Sequence, residues 1–279
     1  MADPARSAPP SAAGTLRSGA DTARRATRSE MFRRLARLGH VANGILHVLI
    51  GLLAFDLARG GGGDADQSGA AGLLADNPAG LVLLWITVAG CASLSVWHLA
   101  AAVWGGDETL DRVKDAGKAV VFAAVASTFA AAGVGAGRDS GEATRSFTAT
   151  LLEHPAGATL LVAIGLVIVG IGGHHIHKGM TRRFVKDLTS PSREDVSRAL
   201  TVTGVVGYTA KGIVLALVGA LFVLAVVQHD PSQSTGMDGA LKTLLAQPFG
   251  PWLLGAVGLG LVLYGVYEFL RSRYDRMPG

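Results

Sequence analysis

The ionisable residues within the apolar stretches of this chain fall into one register. Twenty residues after each of three prolines, Pro78, Pro155 and Pro248, stand His98, His175 and Glu268. Directly after three glycines, Gly39, Gly117 and Gly207, stand His40, Lys118 and Tyr208. Asn43 and Lys211 are equivalent one turn further on, and His47 lies deeper still. Imidazole titrates near pH 6.5, and ionisable groups inside a span are costly unless they face a bundle interior or a water-filled cavity. Gathered into a polar ring, His40, His47, His98, Lys118, His175, Tyr208, Lys211 and Glu268 would suit a proton relay, a gate or a substrate counter-charge. A plainer role competes: near an interface such residues finish their helices in headgroups and water, and lysines snorkel.

Other chemistry has less behind it. His174 and His177 are three apart and share a helical face, and imidazole binds zinc, copper or iron. A metal site would still need His98, His40 or Glu268, and a haem would need a histidine pair from two helices. No spacing requires either, so no cofactor is predicted. The one cysteine, Cys91, offers neither a disulfide nor a thiolate set. Phosphate loops, dinucleotide fingerprints, Gly-x-Ser-x-Gly and His-Glu-x-x-His are all missing, so the chain reads as a non-enzyme.

The elements that position these residues repeat three times. Asn77-Pro78-Ala79-Gly80, His154-Pro155-Ala156-Gly157 and Gln247-Pro248-Phe249-Gly250 read as helix starts, because proline suits a first turn. Gly44 and Gly51 of the first unit match Gly212 and Gly219 of the third, where the second has Phe122 and Phe129. Each unit is a hairpin of two apolar helices joined by a flexible polar turn, such as Gly60–Gly63.

Of 279 residues, 49% are apolar and only 16% charged, and the mean hydropathy is +0.39. A soluble domain carries nearer a quarter charged residues. Six stretches of about 20 residues each match a hydrocarbon core of about 30 Å, and inside lipid they must be helical. They fall near 38–59, 79–104, 118–137, 157–177, 205–228 and 249–270. Basic residues cluster in the N-terminal tail, in connectors 106–117 and 178–200, and at the C-terminal end; the other side has only Arg59, Arg138, Arg145 and Lys242. That bias places both termini in the cytoplasm. Trp97, Trp104, Tyr267 and Tyr274 are then expected near the inner interface. The net charge of +4 and pI of about 9.5 follow from this orientation rather than from a nucleic-acid site. The basic tail and connectors suit anionic headgroups.

The stretches Gly39-His40-Val41-Ala42-Asn43-Gly44, Gly207-Tyr208-Thr209-Ala210-Lys211-Gly212 and Gly265-Val266-Tyr267-Glu268-Phe269-Leu270 carry a resemblance. Over residues 33 to 276 the chain resembles the bacterial integral-membrane family built from three copies of a two-helix domain of unknown function, numbered 1206. The resemblance implies fold and location and no chemistry. The expected protein is therefore an all-α polytopic protein of the bacterial cytoplasmic membrane, with six transmembrane helices as three tandem hairpins. A disordered basic tail occupies 1–32, with a possible interfacial helix over 21–37. Repeat one covers 33–105, repeat two 106–185, and repeat three 186–276 with its connector. The leading functional expectation is a scaffold or accessory protein acting through lipid or unidentified protein partners, homo-oligomers included. The alternatives are a small transporter or ion- or proton-conducting protein, and a haem- or metal-binding membrane protein.

Overall fold

The computed structural model describes residues 30–104, 109–137, 139–188 and 193–274. The tail expected to be disordered lies outside them up to residue 29. Helix α1 (Glu30–Ala58) is followed by α2 (Gln67–Ala75) and α3 (Pro78–Trp104). Then come α4 (Thr109–Gly133), α5 (Ser140–Leu152) and α6 (Pro155–Met180), a 3-10 turn at Arg183–Asp187, and α7 (Glu194–Gln228). A second 3-10 turn (Pro231–Gln233) leads to α8 (Gly236–Leu245) and α9 (Gly250–Tyr274). The six long helices α1, α3, α4, α6, α7 and α9 each hold a stretch long and apolar enough to cross a membrane.

Several boundaries differ from the sequence reading. Helix α4 starts at Thr109, so Asp111, Arg112, Lys114 and Asp115 belong to the first turns of a helix rather than to the connector, with the first three exposed. Helix α7 starts at Glu194 with Glu194 and Asp195 in its first turn, where acids complement the helix dipole. The described part of the connector before it holds a 3-10 turn. At the third proline phrase the helix begins at Gly250; Phe249 is left-handed (φ 61), and Pro251 takes the first turn.

The hairpin turns are not simple flexible loops. Each carries a short helix, α2, α5 or α8. Asp66 caps α2 by accepting from Ser68 N–H (2.8 Å) and Gly69 N–H (3.1 Å). Asp139 caps α5 through Gly141 N–H (2.7 Å) and Glu142 N–H (3.2 Å). These side chains satisfy amide groups that a helix start leaves open. The proline phrases acquire a second meaning here. A Cβ at Gly80, Gly157 or Gly250 would collide with the carbonyl of Leu74, Leu151 or Leu245, each at the end of the preceding short helix. The glycine lets the chain reverse tightly from short helix into span.

The three short helices join into one polar cap. Ser140 Oγ donates to Asp66 Oδ2 (2.9 Å), tying α5 to α2. Ser234 Oγ donates to Thr148 Oγ1 (2.6 Å), tying the second 3-10 turn to α5. Ala65 N–H donates to Asp238 Oδ1 (3.0 Å), tying α8 back to the start of α2.

Within the membrane the strongest pairings run between repeats. Helix α3 packs on α4, α6 on α7 and α9 on α1, in cyclic order, whereas only the third hairpin packs its own two helices extensively. Glycines seven residues apart make two of these seams. A Cβ at Gly212 would lie 2.6 Å from Gly172 O, and one at Gly165 would lie 2.7 Å from Gly219 O. On the α1–α9 seam a Cβ at Gly51 would lie 2.6 Å from Gly258 O, and one at Gly44 2.9 Å from Gly265 O. Small residues let backbones meet where lipid supplies no hydrophobic drive to associate. The α3–α4 pair has Val88, Ser95, Phe122 and Phe129 at the matching positions, and Ser95 Oγ donates to Ala119 O (2.9 Å). Exposure follows the same asymmetry: 50% of the best α9 window is buried, but only 11% of that in α3. The apolar core sits between α1, α7 and α9, with Ile50, Ala54, Val214, Leu254 and Leu261 fully enclosed.

Candidate functional site

The repeat register brings six of the eight ring residues into one network at the end of the bundle opposite the cap. Helix α1 supplies His40 and His47, α6 supplies His175, α7 supplies Tyr208 and Lys211, and α9 supplies Glu268. His40 Nδ1–H donates to Glu268 Oε2 at 2.7 Å. Glu268 is 2% exposed and His40 20%, so this pair runs from the edge of the bundle inwards. Lys211 Nζ donates to Tyr264 Oη (3.4 Å) and sits 4.4 Å from the centre of that ring. His47 packs on the other side of the network, its ring 4.7 Å from that of Tyr264, and Nδ1–H donates to Asn43 O (2.8 Å).

Tyr208 is the aromatic hub. Arg271 donates to its hydroxyl at 3.4 Å, and the rings of His175, Phe184, Tyr264 and Tyr267 lie 5.7, 5.4, 5.3 and 5.4 Å from its own. Tyr267, expected at the lipid interface, is instead fully buried in this cluster. The other two ring residues are elsewhere. His98 Nδ1–H donates to Asp115 Oδ1 (3.1 Å), Lys118 bonds the same oxygen (3.0 Å), and His98 stacks on Phe122 in the α3–α4 pair.

Tyr264, Tyr267, Arg271, Phe184 and Asp115 were not placed in the ring by sequence. For Arg271 the signal was available, since it is equivalent to Lys178 in the second repeat. Nothing local distinguishes Phe184, which enters from the 3-10 turn.

Chemically, the network offers one carboxylate, one imidazole in contact with it, three phenols and three cations: Lys211, Arg271 and Lys178, whose Nζ lies 5.3 Å from the centre of the Tyr208 ring. It suits hydrogen-bonded and electrostatic fastening of α1, α7 and α9. It ends at His47. Beyond His47, Ile50, Ala54, Leu57, Val214, Leu254 and Leu261 fill the interior up to the cap. Among the described residues no group of three or more His, Cys, Asp or Glu is placed to hold a metal, and His174 and His177 are both exposed.

The cap carries its own charges. Lys242 reaches Asp238 (2.7 Å) and Asp64 (3.4 Å). Partial burial opposes its charge, but the Asp238 hydrogen bond and the two carboxylates outweigh this and hold the ammonium above its ordinary value. Desolvation, then Asp238 and Asp139, push the Asp64 carboxyl up. Beside it an open cleft of about 370 Å³ is lined by Asp64, Ser68, Asp76, Thr128 and Asp139 among others.

A family model described as a Domain of Unknown Function (DUF1206) matches residues 38–105, 114–182 and 206–275, one match per hairpin. The chain belongs to the DUF1206 family. A DUF1206 protein is thus a tandem of two-helix repeats, and here the three copies close into the cyclic helix order described above. The chain is also similar to the uncharacterized protein YxxB of Bacillus subtilis (strain 168), with 29% identity over 255 residues, covering 88% of this chain and 92% of that one. No solved structure matches. The chain is a bacterial multi-pass membrane protein of the DUF1206 family.

Proposed function

We propose that this protein is a non-catalytic membrane scaffold or accessory protein, with both termini in the cytoplasm and no resident haem or metal. One observation carries the reading. The buried polar network stops at His47, and a closely packed apolar core separates it from the cap. A transporter or proton conductor needs a polar route from one end to the other. Here the polar groups link α1, α7 and α9, the work of a fastening. The exposed apolar surfaces of α3 and α4 leave those helices free to meet lipid or partner spans. Orientation rests on the Lys/Arg bias.

A solute and proton flux screen in liposomes tests the function, with wild type beside His47→Ala and Glu268→Gln. The scaffold reading expects no flux across the panel in any of the three. A flux abolished by either substitution, with the variant folded, overturns it in favour of transport. Accessibility of single cysteines placed at the cap or at the opposite end, in a Cys91→Ala background, tests orientation.

A further inference from the structure

The three proline phrases start their spans with different side chains on display. Ala79, Ala156 and Phe249 are equivalent, as are Val82, Thr159 and Trp252, and all six are exposed. Two residues further in, Leu84, Leu161 and Leu254 are fully buried in every repeat. The first turn of each span therefore sits against the bundle in the same way, and the two outward positions are outward in all three. Only the third repeat fills them with large rings. Phe249 is 80% exposed and Trp252 82%, and no other large apolar side chain among the described residues matches them.

The backbone supports the display. Helices α3 and α6 run from their prolines, whereas α9 begins at Gly250 after a left-handed Phe249 (φ 61). The Phe249 carbonyl accepts from Trp252 N–H (2.9 Å) and Leu253 N–H (3.1 Å), which fixes the first turn of α9. A residue with a Cβ is strained in that backbone region and glycine is not. Strain of this kind collects at functional positions. Packing inside the protein does not explain it here, since the Phe249 ring points away from the bundle.

Position along the helix says what the rings meet. Trp252, Ala256, Leu259 and Val266 are exposed at spacings of four, three and seven, so they lie on one face of α9. On a helix that crosses a bilayer, an exposed apolar face meets acyl chains. On the other side of the rings stands α8, where Lys242 and Thr243 are exposed and Lys242 reaches Asp238 and Asp64 in the polar cap. Phe249 and Trp252 thus fall between an acyl-facing stripe and a polar cap. That is the depth of the headgroup layer, where aromatic rings concentrate and an indole N–H finds acceptors.

We propose that Phe249 and Trp252 form an anchor in the interfacial layer of the leaflet on the cap side, fixing the depth of the α8–α9 turn. The occupant of this surface is phospholipid at headgroup level. The exposure of the two rings and the continuity of the stripe below them carry the inference, which holds for a scaffold and a transporter alike.

The test uses the full chain in phosphatidylcholine liposomes with Trp85→Phe, Trp97→Phe and Trp104→Phe, so that Trp252 is the one tryptophan left. Its fluorescence is quenched in turn by lipids with a nitroxide at the glycerol end of an acyl chain, by lipids with a nitroxide near the tail, and by iodide on both sides of the membrane. The expected result is shallow-nitroxide quenching that exceeds each of the other two by about twofold. Quenching by iodide alone would put the ring in water. Quenching by none of the three would put it against protein, a second copy or a partner, and stronger quenching by the deep nitroxide would put it in hydrocarbon. Each of these overturns the proposal.

A second measurement reads the anchoring itself. Phe249→Gly/Trp252→Ala keeps the left-handed turn without strain and removes both rings. A dye on Thr243→Cys, in a Cys91→Ala background, reports the depth of α8 with the same quenchers. The ringless variant should change the ratio of shallow-nitroxide to iodide quenching by about twofold. An unchanged ratio, with helical content retained, overturns the proposal; the depth of Trp252 is read without this variant.

Discussion

Glu268 on the last helix accepts a hydrogen bond from His40 on the first at 2.7 Å, across 228 positions of sequence. This contact fastens the third repeat to the first on the buried side of the bundle. Removing one member of a largely buried hydrogen-bonded pair leaves the other without that partner. Glu268→Gln keeps the shape and should cost about 1–3 kcal/mol. Glu268→Ala should cost more, since it also removes any hydrogen-bonding group for His40 at position 268 and leaves a cavity at a buried site. Denaturant titration in detergent micelles measures both; an unchanged midpoint for Glu268→Ala would show that the contact contributes nothing.

The glycines divide into two groups with opposite expected signs. Gly51→Ala and Gly212→Ala force a methyl onto a backbone carbonyl 2.6 Å away and should destabilise by about 1–3 kcal/mol. Gly117→Ala places its methyl in open space, so the helix preference for alanine should stabilise by up to about 1 kcal/mol. Thermal unfolding of the three variants side by side reads the sign directly.

Asp66 is 1% exposed and holds the start of α2 while accepting from Ser140 on α5. Asp66→Ala should cost about 1–3 kcal/mol by the loss of the cap and of buried hydrogen bonds. Hydrogen exchange should locate the loosening in α2 and α5 and leave the α6–α7 seam protected.

The cap should respond to pH at two ends. The Lys242 ammonium is held above its ordinary value, so its contribution is complete below about pH 10.4 and is lost as pH rises through the raised value. The Asp64 carboxyl is also raised, so the protonated form favours the folded cap. That contribution is full below about pH 3.9 and fades as pH climbs through the raised Asp64 value. Asp64→Asn should abolish the acid-side change and keep most of the alkaline one, because Asp238 remains at 2.7 Å from Lys242. Amide exchange of α8 followed across pH is the measurement; a profile unaltered by Asp64→Asn would contradict this assignment.

The spans and the threefold repeat were legible because length and apolar composition alone decide a membrane helix, and because Pro78, Pro155 and Pro248 recur in phase. The depth of His40 and Glu268 followed from the same register, since rise per residue is fixed. What stayed hidden was pairing. Sequence neighbours suggest that α1 lies against α3, yet α1 lies chiefly against α9; glycine spacing is the same whichever helix fills the groove. The short helices were hidden too. Nine residues of Gln67–Ala75 are too few to be stable alone and read as turn; the Asp66 cap and the packing of Ala70, Ala71 and Leu74 make them helical.

The cyclic order of the helices sets a problem of timing. Among the described spans α1 leaves the ribosome first and its principal partner, α9, last. Through synthesis of the four spans between them, the glycine face of α1 and the imidazoles of His40 and His47 have no native surface to rest on. The nascent chain must hold α1 in lipid, at the insertion machinery or against a temporary neighbour until Glu268 arrives, so the α1–α9 seam closes late, after the α3–α4 and α6–α7 seams have their partners.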